Sequence, residues 1–297
     1  MPAPFQPLPV SVSSSQIPSK IMNTHITIPP PRLIRSCLLL VSVISCVTAL
    51  SAANITDWRK DTGSATLTDA TTNSPVIGTG AAASANSTLL SATIGLVTLT
   101  NIGDHLTFSG TVTFEGLGGT LQYGFRWGLF NTNASASVNG WLGYFTENGS
   151  NDKVSRLWER ANPDTSSSWW SNNPATSGST NIKGVTVTDN ATLVDGSYSF
   201  NIRYELTAAN TITISWSLVE TSSPTKYSVS GSFEDNSPQT LTFNRVGIGN
   251  AGFNASKISF ANLQANYVAA VPEPSSVAWI SGLLALIVTA RLCRKRN

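Results

Sequence analysis

From Ser197 to Leu206 the chain alternates without a break. Tyr198, Phe200, Ile202, Tyr204 and Leu206 fall on one side, and Ser199, Asn201, Arg203 and Glu205 on the other. An extended backbone sends successive side chains to opposite faces, so this pattern requires a strand with one buried and one wetted face. The pattern repeats at once: Ile212, Ile214, Trp216 and Leu218 alternate with Thr211, Thr213, Ser215 and Ser217. The link Ala208-Ala209-Asn210 is short enough to make the two runs a hairpin. Between residues 54 and 270 no segment sustains a 3.6-residue period, which argues against helices there. Further strands are expected at 88–100, 105–115, 121–130, 140–146, 153–159, 183–188, 226–233, 241–249 and 257–267. Gly110, inside one of these, marks a bulge or a close approach. The Ser-, Asn- and Pro-rich stretch 162–180 reads as a surface loop. Eleven or so one-sided strands imply an all-β fold in which two antiparallel sheets pack face to face, a β-sandwich.

Charge and cysteine content narrow the function classes. The chain's formal charge of +2 is misleading, because seven of its 18 Lys and Arg lie outside 54–270. The 54–270 region holds 11 bases against 15 acids, a balance of −4, which argues against a nucleic-acid partner. All three cysteines, Cys37, Cys46 and Cys293, also lie outside it, so the region holds no disulfide, thiolate nucleophile or thiolate metal site.

Both ends of the chain read as targeting segments. Arg32 and Arg35 precede the apolar stretch 37–50, and the small residues Ala49, Ser51, Ala52 and Ala53 follow. This is the order of a secretory signal peptide, with cleavage expected after Ala53 and a cut after Ser51 as the near alternative. A loose lipobox at Val43-Ile44-Ser45-Cys46 is a rival, weakened because the apolar run continues past the cysteine. The n-region is too long if counted from Met1, so Met22 is read as the initiator of the 1–53 segment. At the other end, Pro272-Glu273-Pro274 is followed by the charge-free run 277–290 and then by Arg291, Arg294, Lys295 and Arg296. An apolar run ending in a basic cluster is a membrane anchor with its basic end on the cytoplasmic side, although this one is short for a spanning helix. The three elements of 271–297 resemble the PEP-CTERM sorting signal, which also carries the label ice-binding protein C-terminal domain. The resemblance implies an exosortase-type transpeptidase as partner, passage through the general export pathway, and a destination at the cell surface or in the extracellular matrix.

A second resemblance covers the region between. Trp58, the aromatic centre Tyr123-Gly124-Phe125-Arg126-Trp127-Gly128-Leu129-Phe130, Gly143-Tyr144-Phe145, the 197–219 hairpin and Ile258-Ser259-Phe260 follow one another in an order similar to that of concanavalin-like jelly rolls. Jelly-roll glycosidases of that kind carry a Glu-x-Asp-x-x-Glu strand, and no such pattern occurs here. Glu147, Asp152 and Glu159 form the nearest acidic grouping, but their spacing does not place them on one strand face, and they are expected to be solvated charges. His105 is the sole histidine after residue 53 and stands beside Asp104 at a strand start, so a turn or strand-edge role is expected. The chain is therefore read as a non-enzyme.

Other ligand classes are weighed on their residues. Asn148-Gly149-Ser150-Asn151-Asp152, and Asp189-Asn190 with Asp195-Gly196, supply hard oxygens for calcium but are also ordinary turn residues, so no cofactor is expected. Thr-x-Thr pairs at 66/68, 98/100, 111/113, 186/188, 211/213 and 240/242 are too irregularly spaced for an ice-binding solenoid. Trp127, Trp141, Tyr144, Phe145 and Trp158 are expected in the core. Trp169 and Trp170 stand in the polar loop with Asn172 and Asn173, where exposed indoles would stack on sugar rings and amides would bind hydroxyls; a hydrophobic latch is the competing role. The expected function is a secreted, surface-sorted, non-catalytic carbohydrate-binding or adhesion module for extracellular polysaccharide. A structural matrix protein without a ligand is the alternative, and a divergent glycosidase the third reading.

Overall fold

The computed structural model describes residues 52–78, 88–117, 124–135, 138, 140–148, 154–160, 179–186, 192–250 and 255–270. The PEP tripeptide, the 277–290 run, the basic tail, the signal segment up to Ser51, and Trp169, Trp170, Asn172 and Asn173 lie outside these residues. Among the described residues no helix is long and apolar enough to cross a membrane.

Fifteen strands form among the described residues: β1 Ala53–Asn54, β2 Arg59–Thr62, β3 Thr66–Thr68, β4 Val76–Gly78, β5 Leu89–Thr98, β6 His105–Glu115, β7 Phe125–Asn131, β8 Leu142–Asn148, β9 Val154–Arg160, β10 Ser179–Thr186, β11 Gly196–Ala208, β12 Thr211–Glu220, β13 Ser228–Asp235, β14 Thr242–Asn250 and β15 Lys257–Val268. They pair antiparallel in two sheets. One has the order β13-β12-β11-β6-β15-β4-β3, with β1 also on β15; the other runs β10-β9-β8-β7-β14-β5-β2. The expected all-β sandwich is what forms. Each strand expected between 88 and 267 is present, and the hairpin pairs Tyr198 with Glu220 through to Ala208 with Thr211. Strands β1 to β4 were not anticipated, being two to four residues long and too short to show a period.

The faces that meet are those the alternation marks as apolar. Tyr198, Phe200, Ile202 and Tyr204 from β11 pack with Phe108, Val112 and Phe114 from β6 against Phe125, Trp127, Leu129, Tyr144 and Ile248 from the other sheet. Phe125 stacks on Trp127 at 5.0 Å and meets Phe200 edge-on at 5.4 Å. Polar atoms carried into this core are paired across it. Trp127 Nε1 donates to the Asn201 carbonyl at 3.0 Å, Trp216 Nε1 to Ser155 Oγ at 2.8 Å, and Tyr204 OH to the Tyr144 carbonyl at 2.9 Å. Buried donors left unpaired would each cost about 1–3 kcal/mol, so these bonds hold the sheets in one register. Gly110 is the close approach its position suggests: a Cβ there would come within 2.5 Å of Leu263 Cδ2. The bulge itself falls on the partner strand, between Ala261 and Gln264 of β15.

Candidate functional site

The two outward faces differ in kind. On the eight-stranded sheet the outward residues are those of an ordinary wetted face, with Thr107, Ser109, Thr111 and Thr113 on β6 beside Ser199, Asn201, Arg203 and Glu205 on β11. The seven-stranded sheet turns quite different side chains away from the core. Register places Arg126, Gly128 and Phe130 of β7 level with Glu147, Phe145 and Gly143 of β8, and these with Arg156, Trp158 and Arg160 of β9. On the other flank, Arg245, Gly247 and Gly249 of β14 face Thr93, Ser91 and Leu89 of β5, and Arg59 of β2 pairs with Ser91. An antiparallel sheet usually wets this side with polar residues, yet here a second hydrophobic cluster forms from Leu89, Phe130, Trp141, Phe145 and Trp158. Trp141, Phe145 and Trp158 are therefore buried as expected, but on the side of the sheet away from the main core.

Five of the six arginines of 54–270 stand on this face: Arg59, Arg126, Arg156, Arg160 and Arg245. Arg126 Nη2 donates to Glu147 Oε2 at 2.6 Å with both side chains buried, and Arg156 approaches the other carboxylate oxygen at 3.7 Å. Arg126 also lies over the Phe145 ring at 5.7 Å, and Phe145 stacks nearly parallel on Trp158 at 6.3 Å. Arg160 donates to the carbonyls of Trp141 and Val138 at 2.9 and 3.1 Å, pinning the β7–β8 connection over the sheet. Arg59 and Arg245 both stand over the Trp141 ring, 5.6 and 5.2 Å from its centroid. Burial, and then the charge of Arg59, hold the Arg245 guanidinium below its usual range. The indole N–H groups of Trp141 and Trp158 are buried with no hydrogen-bond partner. Paired glycines keep the middle of the face low and tight. A Cβ on Gly128 would come within 2.2 Å of the Tyr144 carbonyl, and one on Gly143, at φ +127°, within 2.4 Å of the Leu129 carbonyl.

The acidic grouping of the sequence is divided by the sheet. Glu147 lies on the outward face, and the expectation that it is a solvated charge is wrong: it is buried because two guanidinium groups neutralise it. Glu159 pairs with Tyr144 and so faces the seam between the sheets, while Asp152 lies outside the described residues. In that seam Tyr144 OH donates to Asp235 Oδ2 at 2.6 Å, and the Gln239 amide donates to Glu159 Oε1 at 3.2 Å. Burial and the charge of Asp235 push the Glu159 carboxyl up to about 7, and burial with the Glu159 charge pushes the Tyr144 phenol far above its ordinary range.

The remaining candidates take structural roles. His105 Nδ1 lies 3.2 Å from the Gly103 carbonyl at the head of β6, a turn contact. Asp104 beside it is buried; although burial opposes it, the backbone N–H groups of Asn101, Ala270 and Thr100 draw its carboxyl down to about 2. Asp195 accepts the amides of Gly116 and Leu117 at 2.9 and 2.7 Å, tying the β6 end to the start of β11. Among the described residues no group of three His, Cys, Asp or Glu is placed to hold a metal. Residues 149–152, 189 and 190 lie outside them, and Asn148 ends β8 as a buried side chain with both amide atoms unpartnered. An apolar cleft of about 330 Å³ between Ile94 and Leu96 of β5 and Ala265 and Tyr267 of β15 is lined by no charged side chain and offers no chemistry. The same-face spacing Arg156-x-x-x-Arg160 is a local signal for two of these arginines; Arg59, Arg126 and Arg245 join them only through the strand order.

No protein-family profile matches the chain, and no curated protein matches it. Solved structures of similar outline include the potassium-bound Emp46p carbohydrate recognition domain, at 12% identity and a TM-score of 0.42, covering 72% of this chain and 89% of that one. An endo-1,3-β-glucanase from Streptomyces sioyaensis gives 12% identity and 0.40, covering 74% and 93%. Lectin II from Ulex europaeus gives 10% and 0.39, covering 72% and 97%. Likenesses this distant transfer no activity, ligand or residue role.

Proposed function

We propose that this chain is a non-catalytic carbohydrate-binding or adhesion module, exported and sorted to the cell surface, and that the outward face of its seven-stranded sheet engages extracellular polysaccharide. The observation that carries the reading is the composition of that face. Trp141, Trp158, Phe145 and Phe130 form a buried apolar layer on it, and of its five arginines Arg126 and Arg160 are buried while Arg59, Arg156 and Arg245 reach the surface, where an uncommitted sheet face would carry Ser and Thr. Fork-shaped guanidinium donors at that surface suit the hydroxyl-rich surfaces of sugars. Trp169 and Trp170 belong to the same proposal. Their segment joins β9 to β10, and its flanking residues Arg160 and Ser179 pair at the rim of this face.

The absence of catalysis is part of the proposal. A glycosidase sets two carboxyl groups about 5–9.5 Å apart across the scissile bond. On this face Glu147 is committed to two arginines, and Asp61 stands four strands away, roughly 19 Å along the sheet at about 4.8 Å per strand. Retention of the full-length protein on a glycan array, without release of reducing sugar from the glycans that retain it, is the expected outcome. Release of reducing sugar would refute the non-catalytic reading. Failure to be retained by any glycan would refute binding and leave a structural matrix protein.

A further inference from the structure

At the β14–β5–β2 flank of the seven-stranded sheet, two guanidinium groups converge on one neutral oxygen. Arg59 Nε donates to Ser91 Oγ at 3.3 Å and Arg245 Nη1 to the same atom at 3.2 Å, while Arg245 Nη2 reaches Thr93 Oγ1 at 2.9 Å. A carboxylate is present for one of them: Arg59 Nε also contacts Asp61 Oδ1 at 2.8 Å. Arg245 forms no ion pair among the described residues, and its Nε is buried without a hydrogen-bond partner. A hydroxyl carries only a partial charge, so it cannot offset two cations held this close. Among the described residues the arrangement holds one carboxylate for two guanidinium groups, and its Arg59 end is open to solvent, that side chain being 46% exposed, with Ser91 and Trp141 buried beneath.

We infer that Arg59 and Arg245, standing over Trp141, form a carboxylate subsite, and that the polysaccharide this face binds is a polyuronate; the inference rests on the proposed binding face. The guanidinium fork matches a planar carboxylate with two parallel hydrogen bonds, which a hydroxyl cannot use. Thr93, exposed beside Arg245 Nη2, can meet a hydroxyl of the same sugar ring once freed as an acceptor, while Ser91 lies buried beneath. Nucleic acid is the competing polyanion, and the negative balance of the whole region opposes it.

The test uses the full-length protein in a non-ionic detergent, titrated with oligogalacturonate and alginate oligomers, with the same oligomers after reduction of their carboxyl groups, with a neutral β-glucan, and with single-stranded DNA. An acidic oligomer should bind, its carboxyl-reduced form should bind at least about tenfold more weakly, and affinity should fall as salt rises. Arg59→Gln and Arg245→Gln should each weaken acidic binding roughly 10- to 100-fold. Arg203→Gln, on the other sheet, should leave it unchanged. Arg245→Lys keeps the charge and loses the fork; it should fall between wild type and glutamine, and it serves where the glutamine variant does not fold. Equal binding of acidic and reduced oligomers, or binding of the neutral glucan alone, overturns this inference and leaves carbohydrate binding standing. DNA bound more tightly than any uronate overturns it in favour of nucleic acid. A protein that binds no saccharide at all removes both readings.

Discussion

Replacing Glu159 by Gln should make the protein less sensitive to pH between 5 and 8. In the seam between the sheets, burial and the charge of Asp235 carry the Glu159 carboxyl from its ordinary 4.5 to about 7. The folded protein therefore keeps this proton over a range in which the unfolded chain has lost it. Below pH 4.5 both states are protonated and the group contributes no pH dependence. From 4.5 to about 7 the unfolded state alone ionises, so stability falls as pH rises; above 7 both are ionised and the loss is complete. At about 1.36 kcal/mol per pH unit the ceiling of that loss is about 3 kcal/mol. Glu159 is half-buried and screened by solvent, so about 1–2 kcal/mol is the expected size. The glutamine side chain is not ionisable, and its amide can still accept from the Gln239 amide and donate to Asp235. Urea unfolding followed by tryptophan fluorescence, at pH 5 and pH 8, gives the stability of both proteins, and groups common to both cancel in the comparison. Wild type should lose about 1–2 kcal/mol more than Glu159→Gln on going from pH 5 to 8. An identical pH dependence in the two proteins, or a wild type that gains stability relative to the variant at pH 8, would refute the retention of a proton on buried Glu159.

Three further outcomes are expected. Glu147→Gln strands the buried Arg126 guanidinium and should lower unfolding free energy by about 3–5 kcal/mol, measured by the same denaturation; a loss under about 1 kcal/mol would mean that solvent reaches the pair. Gly231→Ala drives a Cβ to within 2.2–2.6 Å of the Trp216 indole and should cost about 1–3 kcal/mol, with a changed Trp216 signal in near-ultraviolet circular dichroism. Glu273→Ala should leave the protein in the membrane fraction with its C-terminal tail uncut; normal trimming in that variant, seen by mass spectrometry, would leave a plain anchor in place of an exosortase substrate.

The hairpin of β11 and β12 was legible because one of its faces is apolar and the other wet. Burial on a single face is what imprints a two-residue period on a sequence. Where both faces are buried the imprint disappears: in Phe125-Arg126-Trp127-Gly128-Leu129-Phe130 every side chain is covered, so nothing local says which ring faces which way. Trp127 and Phe130 are equally apolar and three residues apart, yet one enters the main core and the other the outward cluster. Their assignment follows from strand pairing, since Trp127 lies level with Ile248 and Phe130 with Arg245. Glu147 shows the same limit for charge: a lone acid between strand residues reads as solvated until two arginines from neighbouring strands are laid beside it. The sequence alone determined the two-sheet class, the position of the long strands and the cysteine-free character of the 54–270 region, because those depend on short-range period and composition. Arg59, Ser91 and Arg245 became neighbours only through the order β14-β5-β2, which brings Arg245 to Ser91 across 154 positions of the chain. Sheet order is settled by which faces pack and which backbone edges pair across the whole domain, and no local window of the sequence carries that information.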